Sequence, residues 1–338
     1  MRPVALLVLL ALILPGCATS PGQSAAPVTF QAIRFEVQVD ATRLGTFTAI
    51  LFPNETPATY AFMRNLTTQG YYDGREFTRI IPGFVVQQVD RTGGTTDTKE
   101  TIPLEAGRNV TFSAGAFGIA RGDLPDSGGP EFFIMDFANT SAALYGNYTA
   151  WGQVVDGMDV VHAIARVPSV RNPACGNAAT AGVACFLGAP VNGTPSTFDE
   201  EAVVPPKITT ARMTTVSLPA SVAARYPLQA GPPQVRDNLR MTLEWPHDLR
   251  AGAASPITWY VWNRPGTGAN DPPAPDLSKA YALAQGPASN QTLQPKPDAA
   301  DGRILHFTWT PPAPGSYHVS LRNESAEMAA VDVVVPMG

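Results

Sequence analysis

The sequence predicts a mainly β protein: a closed antiparallel β-barrel with two capping helices, followed by a smaller β-sandwich. Three observations predict it. With 29 glycines and 33 prolines among 338 residues, short strands and frequent turns are favoured over long helices. From Phe30 to about Val216, period-two runs surround only two segments of helical period. Beyond about Leu218 no helical period appears, and short alternating runs carry four of the five tryptophans. The chain is long enough to bury a core in each of two domains without metals or many disulfides.

Residues 1–17 read as an address. Arg2 precedes an apolar run, Val4 to Leu14, that is too short to span a bilayer and suits the core of a signal peptide. The run ends in Leu14-Pro15-Gly16-Cys17, which resembles a bacterial-type lipobox with an unusual proline before the glycine. Such a signal implies that Cys17 becomes the N-terminus and carries a diacylglyceryl thioether, whose two chains hold a protein at the membrane. Plain cleavage, giving a secreted protein, is the alternative. Residues 18–29 are small, polar and Pro/Gly-bearing, and read as a tether.

Residues 30–217 form the first domain. Thr56-Pro57 is an N-cap followed by proline at the first helical position; Thr59, Phe62, Met63 and Leu66 then recur at helical spacing, and Gly70 supplies the stop. A second helix near Asp156 to Arg166 repeats the spacing at Val160, Ala163, Ile164 and Val167. Strands are predicted at Ile33–Val39, Gly45–Leu51, Glu76–Ile81, Phe84–Gln87, Phe112–Ile119, Phe132–Asp136, Ala150–Val154 and Lys207–Val216. Residues 169–205 interrupt this pattern as a Gly/Ala/Pro/Thr-rich inserted loop.

That loop holds Cys175 and Cys185, which remain as a pair if Cys17 is lipidated. A bridge between them would add roughly 2–3 kcal/mol by the loop-entropy model and would require an oxidising compartment. Two free thiols are the other reading. Eight of the 13 asparagines stand in Asn-x-Ser/Thr: Asn54, Asn65, Asn109, Asn139, Asn147, Asn192, Asn290 and Asn323. With Ser plus Thr near one residue in seven, chance supplies only about two, so an N-glycosylating, extracytoplasmic setting is expected. Residues 218–338 form the second domain, whose short runs with Pro/Gly turns predict a β-sandwich of immunoglobulin-like type with core tryptophans.

Composition argues against several functions. A net charge of −5 without a basic run speaks against nucleic-acid binding. The four histidines and three cysteines show neither CxxC nor HExxH spacing, so no metal and no cofactor are expected.

One stretch carries chemistry. Residues 70–87, GYYDGREFTRIIPGFVVQ, closely resemble the cyclophilin signature G-Y-Y-D-G-x-x-F-H-R-I-I-P-G-F-M-x-Q. Gly45 to Leu66, Glu131-Phe132-Phe133-Ile134 and Trp151 to Val161 resemble other parts of that family in the same order. The resemblance implies a peptidyl-prolyl cis/trans isomerase acting on proline-containing polypeptides, with Arg79 facing the prolyl nitrogen and Gln87 bonding the substrate backbone. It implies a proline seat made by Phe84, Val85, Phe133 and Leu144, with Ala120 and Arg121 along the segment preceding the proline. Departures from the family are Thr78 for histidine, Val85 for methionine, Glu131 for glutamine and Tyr148 for the pocket histidine. Glu131 is placed to pair with Arg79, and Tyr148 to close the rim of the seat. Ala143 replaces the tryptophan associated with tight cyclosporin binding, so weak drug sensitivity is expected, and a glycan at Asn147 would narrow access.

The expected function is folding assistance to exported or surface proteins by a membrane-anchored isomerase. Thr78 and Glu131 make a proline-peptide binding module with weak or lost activity the alternative. A third reading gives the binding role to the sandwich.

Overall fold

The computed structural model describes residues 25–89, 100–106, 110–138, 144–167, 169–171, 200–202, 204–236, 239–263, 276–298 and 302–337. Cys17, Cys175, Cys185, Ala143 and the sequons at Asn109, Asn139 and Asn192 lie outside these residues.

The first domain is one ten-stranded antiparallel sheet. Its strands are β1 (Val28–Gln38), β2 (Leu44–Leu51), β3 (Phe77–Ile81), β4 (Val85–Gln88), β5 (Ala116–Ile119), β6 (Phe132–Met135), β7 (Ala150–Asp156), β8 (Ser169–Arg171), β9 (Glu200–Ala202) and β10 (Lys207–Leu218). The order is β10-β1-β2-β7-β5-β6-β4-β3-β9-β8. The sheet curls around Phe35, Phe47, Phe117, Phe132 and Trp151, all essentially excluded from solvent. Among the described residues no regular ladder closes the expected barrel. Instead β10 returns to the segment just before β3 through the bridge Glu76↔Lys207 and backbone hydrogen bonds joining Gly74 and Arg75 to Ile208 and Phe77 to Pro206.

Helix α1 (Pro57–Thr68) buries Thr59, Phe62, Met63 and Leu66, the face that the spacing predicts. Its N-terminus is capped differently from the expectation. The Thr56 hydroxyl donates to the Phe52 carbonyl, while the Glu105 carboxylate accepts the N–H groups of Ala58 and Thr59 at 3.1 and 2.8 Å. A distant carboxylate thus satisfies the first-turn donors that a local cap would otherwise take. At the other end Gly70, at φ +72°, donates to Thr67 and Tyr71 donates to Leu66, a Schellman arrangement that only a left-handed residue permits. Helix α2 (Met158–Ile164) is two residues shorter than predicted at each end and packs Val160, Val161 and Ile164 inward.

Two strand predictions need correction. Residues 112–115 turn instead of extending, because Gly115 takes φ +77° and Ala116 donates back to Ser113, so β5 begins only at Ala116. The ends of the 169–205 insertion are strands, not loop: β8 pairs with β9, and β9 joins β3 at Arg79↔Glu201.

The second domain follows a short helix, α3 (Ala220–Ala223). Its strands are β11 (Gln229–Ala230), β12 (Gln234–Arg236), β13 (Leu239–Trp245), β14 (Ser255–Asn263), β15 (Ala280–Gln285), β16 (Asn290–Leu293), β17 (Lys296–Pro297), β18 (Ile304–Trp309), β19 (Gly315–Asn323) and β20 (Ala326–Val335). One sheet runs β11-β13-β14-β18-β17, with β12 also on β13, and the other β16-β15-β19-β20. Both contribute to one core, in which Trp259 and Trp309 are fully buried and Trp309 meets Tyr317 edge-on. The Tyr317 hydroxyl donates to the Ala313 carbonyl at 2.7 Å, tying the β18–β19 connection to the core.

Between β3 and β4 the register slips from Phe77↔Gln88 to Arg79↔Gln87, leaving Thr78 as the extra residue of a bulge. Thr78 is fully buried and its hydroxyl has no hydrogen-bond partner among the described residues. Replacing it by the isosteric valine removes a desolvated hydroxyl. Thr78→Val is therefore expected to raise stability by about 1 kcal/mol, read as a higher urea midpoint at unchanged slope.

Candidate active site

The bulge sets Arg79 directly across from Gln87. The Arg79 Nη1 donates to Gln87 Oε1 at 3.0 Å, and the arginine is only 8% exposed. Gln87 in turn lies opposite Phe133 on β6, and Val85 opposite Met135, so three adjacent strands bring the cation, the amide and the phenyl ring side by side.

Next to this pair is an apolar cluster. Buried Val85, Phe133 and Leu144 share it with half-buried Phe84, Ala120 and Tyr148. Phe133 is wedged between Phe112, stacked at 5.7 Å, and Tyr148, edge-on at 5.8 Å. On the rim, the Arg121 guanidinium lies 4.6 Å from the Tyr148 ring centre and its Nε donates to the Asn147 carbonyl at 2.6 Å. Glu131 is half-buried and its carbonyl accepts the Ala120 N–H at 2.9 Å, which joins β6 to the strand segment beyond β5. The sequence-predicted residues Arg79, Gln87, Phe84, Val85, Ala120, Arg121, Glu131, Phe133, Leu144 and Tyr148 are thus linked through contacts, hydrogen bonds and strand register.

Three residues that sequence reasoning missed hold this arrangement. Gly118 faces Phe133 so closely that any Cβ would overlap the ring. Phe112 backs that ring from the other side. Asp136, fully buried at the end of β6, accepts from the Gly83 N–H at 2.6 Å and pairs with His162 Nδ1 at 2.7 Å and Arg166 Nη1 at 2.8 Å. Since the Asp136 N–H also donates to the Phe84 carbonyl, this aspartate pins the β3–β4 turn to α2 and to the segment following it. An acid closing the run Phe132-Phe133-Ile134-Met135 is the signal that could have found it. Among the described residues, no group of three or more His, Cys, Asp or Glu could hold a metal ion.

Burial alone would raise the Asp136 pKa, but the neighbouring Arg166 and His162 outweigh it and hold the carboxyl below the usual 3.8. A depressed folded-state value contributes stability above the unfolded value and loses it as pH falls through the folded one. The protein is therefore expected to lose stability below about pH 4 through this group. Asp136→Asn should shrink that acid step and lower stability at neutral pH, measured by urea unfolding across pH, because the fully buried carboxylate that Gly83, His162 and Arg166 share is lost.

The first domain is similar to known proteins. The family model for cyclophilin type peptidyl-prolyl cis-trans isomerase/CLD matches residues 34–179. A peptidyl-prolyl cis-trans isomerase of Acinetobacter baylyi is 34% identical over 137 residues, covering 38% of this chain and 71% of that protein. Peptidyl-prolyl cis-trans isomerase B of Bacillus subtilis is 38% identical over 111 residues, 32% of this chain and 76% of that protein. A cyclophilin-type isomerase structure from Cryptosporidium parvum aligns with 55% of this chain and 98% of its own at 19% identity and TM-score 0.41. The family model, together with relatives named peptidyl-prolyl cis-trans isomerase that this chain matches over 71% and 76% of their length, defines a prolyl isomerase. The chain belongs to the cyclophilin-type peptidyl-prolyl cis-trans isomerases.

Proposed function

We propose that Arg79 is the residue that accelerates isomerisation, with the Phe84, Val85, Phe133 and Leu144 cluster as the proline seat. Rotation about an X-Pro bond breaks amide resonance, and the unassisted amide barrier is about 18–20 kcal/mol. At the twisted midpoint the prolyl nitrogen regains its lone pair and accepts a hydrogen bond. A donor held beside that nitrogen therefore binds the midpoint more tightly than either planar isomer. The observation that carries this reading is the Arg79–Gln87 hydrogen bond at the edge of the apolar cluster. Gln87 steadies the guanidinium and, being half-buried, keeps its amide N–H₂ available to a substrate carbonyl. Ala120 and Arg121 would align the residues preceding the proline, and Tyr148 would close the rim.

The alternative of a binder without activity leaned on Thr78 and Glu131. Thr78 is the buried bulge residue, so its substitution for histidine leaves the apolar notch intact.

We further propose that the substrates are X-Pro bonds of exported or surface proteins, the chain being held at the membrane through Cys17 and cross-linked at Cys175 and Cys185. The signal-like residues 1–17 and the excess of Asn-x-Ser/Thr support this reading. Uncatalysed prolyl isomerisation takes tens of seconds or longer, slow enough to limit folding outside the cytoplasm.

In a short proline-peptide assay, Arg79→Ala is expected to lower kcat/KM roughly 10²-fold, the loss typical of one preorganised donor, while the unfolding midpoint stays near wild type. Equal rates for the two proteins would remove Arg79 from catalysis.

A further inference from the structure

The second domain is docked on the back of the site. A small cluster joins Ala114, Phe137 and Ala138 of the first domain to Ala230, Tyr260 and Ile304 of the second, with the Phe137 and Tyr260 rings 5.1 Å apart. The Thr111 hydroxyl donates to the Leu228 carbonyl at 2.7 Å. At the centre lies Glu244 of β13, a carboxyl only 7% exposed that the isomerase chemistry does not use. Its Oε2 accepts the Ala114 N–H at 2.8 Å, and its Oε1 faces the Tyr260 hydroxyl at 3.4 Å.

Ala114 belongs to the turn that carries Phe112. On the first domain's own side the turn is clamped by Gln153 of β7, which accepts from the Ser113 hydroxyl at 2.6 Å and donates to the Ala114 carbonyl. Glu244 supplies the clamp from the other side, where Ala114 presents its N–H. Displacing the turn displaces Phe112, and Phe112 is the ring stacked on Phe133.

We propose that Glu244 is a positioning residue of the isomerase site, holding from the second domain the turn that backs the Phe133 ring. The proposal rests on the reading of Phe133 as part of the proline seat.

Protonation gives this clamp a signature. Burial pushes the Glu244 carboxyl up to about 7, against the lowering effects of the Ala114 N–H and Tyr260. The titratable and charged groups around the interface include Tyr260 on β14, Tyr226 and Arg225 before β11, Asp298 acting on Tyr260, Arg303 and Arg166 against the Phe137 ring, and Asp136 with His162 behind it. Tyr260 is itself raised well above 10, by burial first and then by Glu244, so it stays a neutral donor. With the docked-state value above the usual 4.5, docking is firmest in acid and loosens as pH rises from 4.5 to about 7, after which it is constant.

The test uses the full chain and a blocked Ala-Pro peptide without ionisable groups, with kcat and KM measured by NMR exchange from pH 5 to 8. Wild type is expected to show KM rising at least about fivefold with pH to a plateau near 7, with kcat little changed, as for two coupled sites. Glu244→Gln keeps an oxygen for the Ala114 N–H but cannot titrate, so its KM should stay at the low-pH wild-type value throughout. Glu244→Leu leaves that N–H unpaired and should show a high KM at every pH. A pH step common to wild type and Glu244→Gln would not come from Glu244 and would overturn the proposal. A wild-type KM in Glu244→Leu would overturn it as well, and should that variant fail to fold, the glutamine variant alone decides. A wild-type KM in Phe133→Ala would instead reject the reading of the seat itself, whatever the Glu244 variants do.

Discussion

The hydrogen bond between Arg79 and Gln87 organises the rest of the site. A guanidinium in water is mobile and well hydrated, and could not selectively stabilise a twisted imide. Here a bulge at Thr78 brings two side chains from neighbouring strands into register, and the amide oxygen of one fixes the fork of the other at the edge of an apolar notch. On the proposed reading, burial strengthens such a donor, and fixed geometry removes the cost of reorganising it during the reaction.

Everything else around the site preserves that geometry. The core aromatics fix the curl of the sheet, and Asp136 fastens the β3–β4 turn to α2 with three separate partners. Gly118 leaves the space that Phe133 fills. The rim is built differently, from half-buried Tyr148 and the Arg121 guanidinium over its ring.

Much of this was legible in the sequence because it is local. Helix α1, its apolar face and its glycine stop follow from spacing over a few turns, and the residues of the notch sit in short motifs whose order matches one family. What escaped is long-range. Glu105 caps α1 from more than forty positions away, Asp136 meets its partners on α2, and Glu244 reaches Ala114 from another domain. No periodicity marks a single polar residue whose partner is distant. Residues 112–115 were misread as strand for a different reason: their apolar pattern is extended, and one glycine at positive φ overrides it. The insertion misled in the opposite sense, because short strands at its ends carry too few residues for a pattern.

The proposed catalysis requires that a rigid guanidinium fork, and not merely a positive charge near the notch, lower the rotational barrier. NMR exchange spectroscopy on an Ala-Pro peptide, with wild type and Arg79→Lys at matched saturation, tests it most directly. The lysine variant is expected still to bind the peptide and shift the Phe133 resonances, yet to accelerate cis–trans exchange far less than wild type. Equal acceleration by the two proteins would contradict it.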